Sequence, residues 1–359
     1  MITACQNDDT DFSAYTSGAA TTARVIYIAY NGSTVTVSGD DNNYVTTSGA
    51  DVTVNTGTDT DSLLLVLSGS TTDGSLLVYR EKKYGIRMNG VSIHNSDGPA
   101  INNQCGKSLY IELASGTTNT LTDGTAYDET VSYQQKGTLF SEGQIYFSGS
   151  GTLTVTANCK NAIACDDYIY ILQDVVINTT TQSTGSNGIK VNDGLYVQGG
   201  TVSIDVQSAA GRGIKCDSVV VVSGGTTTIA TSGDCVYDSD EQDYSSAACI
   251  KCADDFTMTG GTLTMTSSGD GGKGVNCDGA VAVSGGTFSA ITTGSNNYAK
   301  PKAVKGDGIT VSGGSFYAAV TKSWACDNGV DSDTPADRIT VSGNPTTTTI
   351  EKKLVNIVY

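Results

Sequence analysis

Four lysines recur at one place in a repeated phrase: Lys190 in GIKVND, Lys215 in GIKCDS, Lys251 in CIKCAD and Lys305 in AVKGDG. Aspartates follow closely and form a parallel series, Asp166, Asp193, Asp217, Asp254, Asp278 and Asp307. A row of ammonium groups beside a row of carboxylates has two uses. It can neutralise itself, each exposed pair then contributing about 0–1 kcal/mol, or it can meet a polymer, with Lys pairing to its carboxylates and Asp holding Ca²⁺ or sugar hydroxyls. Two acidic loops gather the several hard oxygen donors that Ca²⁺ prefers: Asp234, Asp238, Asp240, Glu241 and Asp243 in one, Asp327, Asp331 and Asp333 in the other. Outward aromatics, chiefly Tyr196 and Trp324, with Tyr168, Tyr170, Tyr244 and Tyr298, are candidate platforms for stacking sugars.

Four cysteines, Cys165, Cys216, Cys252 and Cys277, recur beside the lysines. A column of thiols does not converge on a point, so zinc is not indicated. Small buried Cys residues pack well, and parallel Cβ vectors are poor for bridging, so these four read as free packing thiols. Cys235 and Cys249 flank the insertion CVYDSDEQDYSSAA and could close it with a disulfide in an oxidising compartment.

The elements that position these groups follow from an internal repeat. Gly pairs stand at 199–200, 224–225, 260–261, 285–286 and 313–314, each between two short apolar strands, as in LYVQGGTVSIDV and VVVSGGTTTIAT. A third strand, the lysine phrase, precedes each. Three short strands per ~25 residues is the signature of a coil stacked on the next at ~4.8 Å. Alternation sends Ile163, Ile189, Ile214, Ile250, Val275 and Val304 inward, and the lysines between them outward. The expectation is an all-β chain: a single right-handed parallel β-helix of roughly ten to twelve coils. It would span residues 23–359, with an acidic insertion at 235–249 and a polar linker at 1–22. Thr346–Thr349 and EKKLVNIVY would close the last coil.

The net charge of −17 and pI near 4.2 argue against nucleic acid, whose phosphates need a clustered basic face. No apolar run approaches the ~20 residues that span a bilayer. Ile2-Thr3-Ala4-Cys5 matches the end of a bacterial lipoprotein signal, which predicts acylation at Cys5; Gln6-Asn7-Asp8-Asp9 resembles a tag for the outer face. A lipid-anchored outer-membrane protein at the cell surface, monomeric, is the resulting expectation.

The ordered stretches MNGVSIHNSDGPAI (88–101), LASGTTNTLTDGTAY (113–127), QKGTLFSEGQIYFSGSGTLTVTA (135–157), the GIK-and-GGT coils and SWACDNGVDSD (323–333) resemble the secreted bacterial carbohydrate-binding β-helix proteins of pectate-lyase-like fold. The resemblance implies binding of plant-cell-wall polysaccharide, cellulose or polygalacturonate, with Ca²⁺ and without established catalysis. Relatives commonly carry Asp before the GI step; here Asn187, Arg212, Lys273 and Lys302 stand there, which moves the expected Ca²⁺ to the acidic loops. A lyase or polygalacturonase is the alternative on the same fold. The Trp-Ile-Asp-His motif of such lyases is absent, and the single histidine, His94, precedes Asn95 rather than Gly. A purely structural adhesin is the third reading.

Overall fold

The computed structural model describes residues 23–359; the expected lipidation site at Cys5 lies outside them. The chain winds as a β-solenoid with three faces. The first is a 12-stranded sheet whose rungs include Ile189–Val191, Arg212–Cys216, Ala248–Cys252, Lys273–Cys277, Lys302–Lys305 and Trp324–Asp327. From Asp51–Gly57 onward it is parallel throughout, giving eleven stacked rungs. The other two faces carry the strands before and after each Gly pair, for example Gly194–Val197 and Thr201–Val206. They merge into one 23-stranded sheet because, in early coils such as Tyr84–Asn95, a single strand bends round the corner that the Gly pair breaks later. A short 3-10 turn, Pro335–Arg338, is the helical element among the described residues.

The Gly pairs are required by the stacking. Gly225 has φ +74°, and a Cβ there would sit 2.4 Å from the carbonyl oxygen of Gly199, one coil below. Any side chain would both strain the turn and push the coils apart. Inside, side chains stack on their own kind: Leu195, Val220, Phe256, Val281 and Ile309 follow one another in register, as do Ile204, Ile229 and Met265. All are buried. The Ile column runs as its alternation predicts, from Ile163 to Val304, and continues into Cys326.

Both ends are capped by antiparallel strands, which blunt edges that would otherwise template another chain. Thr34–Ser38 folds back on Arg24–Asn31, and Leu354–Val358 pairs with both Ser315–Val320 and Thr347–Ile350.

The cysteine column needs a correction. Cys252 and Cys277 are neighbours on adjacent rungs with Cα atoms 4.6 Å apart, and a disulfide joins them. Rung spacing already falls at the short end of the disulfide range. Cys165 is separated from Cys216 by Val191 and stays free, as does Cys216, whose thiol donates to the carbonyl oxygen of Val219. Burial pushes the Cys216 thiol up to about 11, so it is an inert packing group at neutral pH. The insertion is not closed by a disulfide either. Cys249 points into the coil, against Thr231 and the carbonyl of Ile229, while Cys235 stays on the partly exposed loop.

Candidate functional site

The lysine phrase forms the central strands of the 12-stranded sheet, and its outward residues line up rung by rung. Lys190, Lys215, Lys251, Asn276, Lys305 and Asp327 occupy one register position on six successive rungs. Three residues earlier on the same strands lies a second column, Asn187, Arg212, Ala248, Lys273, Lys302 and Trp324. The positions that looked like lost calcium ligands therefore build a second cationic row beside the first. The signal was present in the spacing, since each stands a fixed three residues before the lysine column.

The aspartates do not form the single column expected. Backbone pairing places Asp166, Asn192, Asp217, Ala253 and Asp278 at the first corner position. Asp193 and Asp254 fall one residue later, in register with Asp167 and Ser218. Asp307, where the corner is one residue shorter, bonds the carbonyl of Gly279. The corner has the same length in the coils of Asp193, Asp217, Asp254 and Asp278; the acid stands three residues after the ladder position in Asp193 and Asp254 and two after it in Asp217 and Asp278.

That split decides which lysines are neutralised. A lysine pairs with the first-corner residue one rung on. Lys190 reaches Asp217, and Lys251 reaches Asp278. For Lys215 the equivalent residue is Ala253, and for Lys305 it is Gly329. Among the described residues, neither Lys215 nor Lys305 makes an ion pair. Burial, together with Lys190, Arg212 and Lys251, holds the Lys215 ammonium below the usual lysine range, with Asp217 opposing. Such a group gains from an incoming anion.

Around these cations the surface is concave. A cavity of about 490 Å³ is lined by Arg212, Lys251, Lys273, Asn276 and Lys305 on its floor and by Tyr244 and Tyr298 on its wall. A second, of about 670 Å³, shares Lys300, Lys302 and Asp327 with it and extends to Trp324, Arg338 and Lys352, making one trough along the solenoid axis. Nine of the chain's 20 lysines and arginines line this trough against four aspartates, although the chain carries −17 overall.

Individual groups have distinct states. Lys273 is buried and gives its three hydrogens to Ser246 Oγ, 3.0 Å, and to the carbonyls of Gly271, 2.7 Å, and Lys300, 3.1 Å. Burial and the neighbouring Lys305 and Lys302 lower its pKa to about 8. Arg212 donates from Nη2 to Ser245 Oγ at 2.8 Å, while its buried Nε has no partner; burial lowers its pKa. Asn276 Oδ1 is likewise buried and unpartnered. Lys302 is tied to Asp327, which also accepts from Arg338.

The insertion forms one wall. Val236–Asp238 and Asp243–Ser245 make a two-stranded hairpin. Tyr244 on it stacks against Tyr298 (5.4 Å between centroids), with Tyr237 edge-on at 5.2 Å. Tyr298 is 67% exposed, so it offers a large ring surface at the rim. At the far end, cations lie over the Trp324 ring: the Arg338 guanidinium at 4.1 Å and the Lys352 ammonium at 4.7 Å.

The trough thus gathers Lys251, Lys305 and Trp324, with Lys215 in register beside Lys251. Lys190 lies in a separate depression of about 430 Å³ with Lys136, Lys160 and Asp217. Tyr196 sits on another face, in a ladder of Tyr110, Tyr146, Tyr170 and Tyr196 with centroids 4.7–5.1 Å apart. Rings stacked face to face along the axis turn their edges outward, a geometry that suits packing more than sugar stacking. In the acidic loops, Asp238 Oδ1 accepts from the backbone N–H of Asp240 and Glu241, Asp243 Oδ1 from that of Tyr244, and Asp234 Oδ1 from that of Asp270. Asp331 and Asp333 are exposed near Asp327 in sequence. Among the described residues, no three acidic, His or Cys side chains converge as a metal would require.

Comparison with known proteins bears on the fold and the family. A polysaccharide lyase-like protein from C. thermocellum, solved as a gadolinium derivative, superposes with a TM-score of 0.58 at 24% identity, over 72% of this chain and 96% of that one. At that identity the likeness concerns the fold. A carbohydrate-binding domain-containing protein of Acetivibrio thermocellus is 30% identical over 112 residues, which are 30% of this chain and 39% of the relative. The aligned region thus spans well under half of that relative's length. The model of the carbohydrate-binding domain-containing protein family matches residues 48–218 and 203–297, including Arg212, Lys215, Lys251 and Lys273. The chain belongs to the carbohydrate-binding domain-containing protein family.

Proposed function

We propose that this chain binds an acidic cell-wall polysaccharide, a polyuronate such as polygalacturonate, along the cationic trough and does not cleave it. The observation that carries the reading is the pair of unneutralised lysines, Lys215 and Lys305, in a ladder whose other lysines are matched to aspartates. A neutral glucan such as cellulose would gain nothing from them and would leave ammonium groups desolvated without a counter-charge. The exposed Tyr298 supplies an apolar surface for a sugar ring at the rim. A polymer of this kind is met outside the cell, which fits a surface or secreted location.

The test is affinity electrophoresis through gels containing polygalacturonate, methyl-esterified pectin or soluble cellulose derivatives, with absorbance at the wavelength of unsaturated uronides followed in parallel. Retention by polygalacturonate, reduced by esterification and by salt, with no product formed, is the expected result. Equal, salt-insensitive retention by the neutral glucan would overturn the charge reading. Product formation would overturn the non-catalytic one.

A further inference from the structure

Resting on that reading, the ladder also carries information about ligand length. Lys215 and Lys305 occupy the same register position, separated by the rungs of Lys251 and Asn276. The intervening positions present no free charge: Lys251 is paired with Asp278, and Asn276 is neutral. Lys273, in the second column beside Asn276, has all three hydrogens committed to protein oxygens. Within this column the lysines without an ion pair therefore stand at two points three rungs apart, ~14 Å at ~4.8 Å per rung. One rung is about the length of one pyranose in an extended 1,4-linked chain.

We infer that the lysine ladder along the trough reads charge in register, gripping uronate residue i at Lys215 and residue i+3 at Lys305, so that four residues are the shortest ligand that engages both. The two contacts are made by one rigid sheet, so the second is intramolecular once the first has formed, and the gain appears as a step at that length and not as a gradual rise. A shorter oligomer reaches one lysine at a time. A longer one adds sugars beyond the pair and strengthens binding only slightly. The two middle rungs of the ladder, a paired Lys251 and a neutral Asn276, also predict tolerance: esterifying the two central carboxylates of a tetramer leaves both anchored ends intact.

The experiment is calorimetric titration of the whole chain with oligogalacturonides of increasing length, for wild type, Lys215→Gln and Lys305→Gln, with thermal melts to confirm that each variant is folded. The expected result is a gain of about tenfold or more on passing from three residues to four. Either variant abolishes that gain and weakens the trimer by no more than about twofold, because one of two equivalent anchors remains. A smooth rise with length, or a step that survives in Lys305→Gln, overturns the register and leaves the anionic-polymer reading standing. Failure of every oligomer and of polygalacturonate to bind overturns both.

Discussion

Replacing Ala253 with Asp tests the logic of the ladder directly. Ala253 is exposed and stands to Lys215 as Asp217 stands to Lys190 and as Asp278 stands to Lys251. A carboxylate there completes the diagonal, and Lys215 becomes a neutralised pair like its neighbours. An exposed pair adds about 0–1 kcal/mol to folding, so the melting temperature should hardly move. Binding should suffer far more. A charge-assisted hydrogen bond contributes about 1.5–3 kcal/mol, so affinity for polygalacturonate should fall roughly 10- to 100-fold. Isothermal titration at low ionic strength reads this, with Lys215→Gln as a second route to the same loss. The reciprocal change, Asp278→Ala, releases Lys251 and should tighten binding while costing no more than about 1 kcal/mol of stability. If Ala253→Asp binds the polymer as wild type does, while folded and melting normally, Lys215 is not an anion contact and the site reasoning fails.

Three further outcomes follow from the structure. Reducing the Cys252–Cys277 disulfide reopens a 25-residue loop and should lower stability by about 3.5 kcal/mol on the chain-entropy account; urea midpoints with and without reductant measure it, and no shift would refute the bridge. Phe288→Ala removes the middle ring of a buried trio, stacked on Phe316 at 4.7 Å and edge-on to Phe256 at 6.1 Å, and should cost about 3–5 kcal/mol; an unchanged melting curve would contradict the packing. Lys273, with its folded pKa near 8 against an ordinary 10.5, must carry its charge at a penalty at lower pH. That penalty is fully present below pH 8 and is relieved as pH rises toward 10.5, because the unfolded chain then holds the extra proton. The stability of wild type relative to Lys273→Met should therefore rise by about 2 kcal/mol between pH 8 and 10, and a flat difference would show that the ammonium is not buried.

Much of the architecture is legible because a solenoid repeats its own instructions. A GIK phrase, a short apolar strand and a Gly pair return every coil, so the parity of Ile214 and Cys216 against Lys215 is set locally and then copied. The inward columns and the lysine register follow from that parity alone. The acidic column did not follow, because the acid stands at the first corner position in Asp217 and Asp278 and at the second in Asp193 and Asp254, on corners of equal length. A shift of one residue there changes which carboxylate meets which lysine. Arg212, Lys273 and Lys302 were visible as departures from a pattern, but their meeting in one trough depends on register across rungs.

The coil, its interior and the outward row of lysines follow from consecutive residues, since strand alternation and glycine turns are local properties of the chain. Which ladder lysines lack an ion pair, where the hairpin of the insertion sets Tyr244 against Tyr298, and which two cysteines are bonded emerge only on folding. Those outcomes depend on distances between residues of different coils, set by the register of one rung on the next and by stacking.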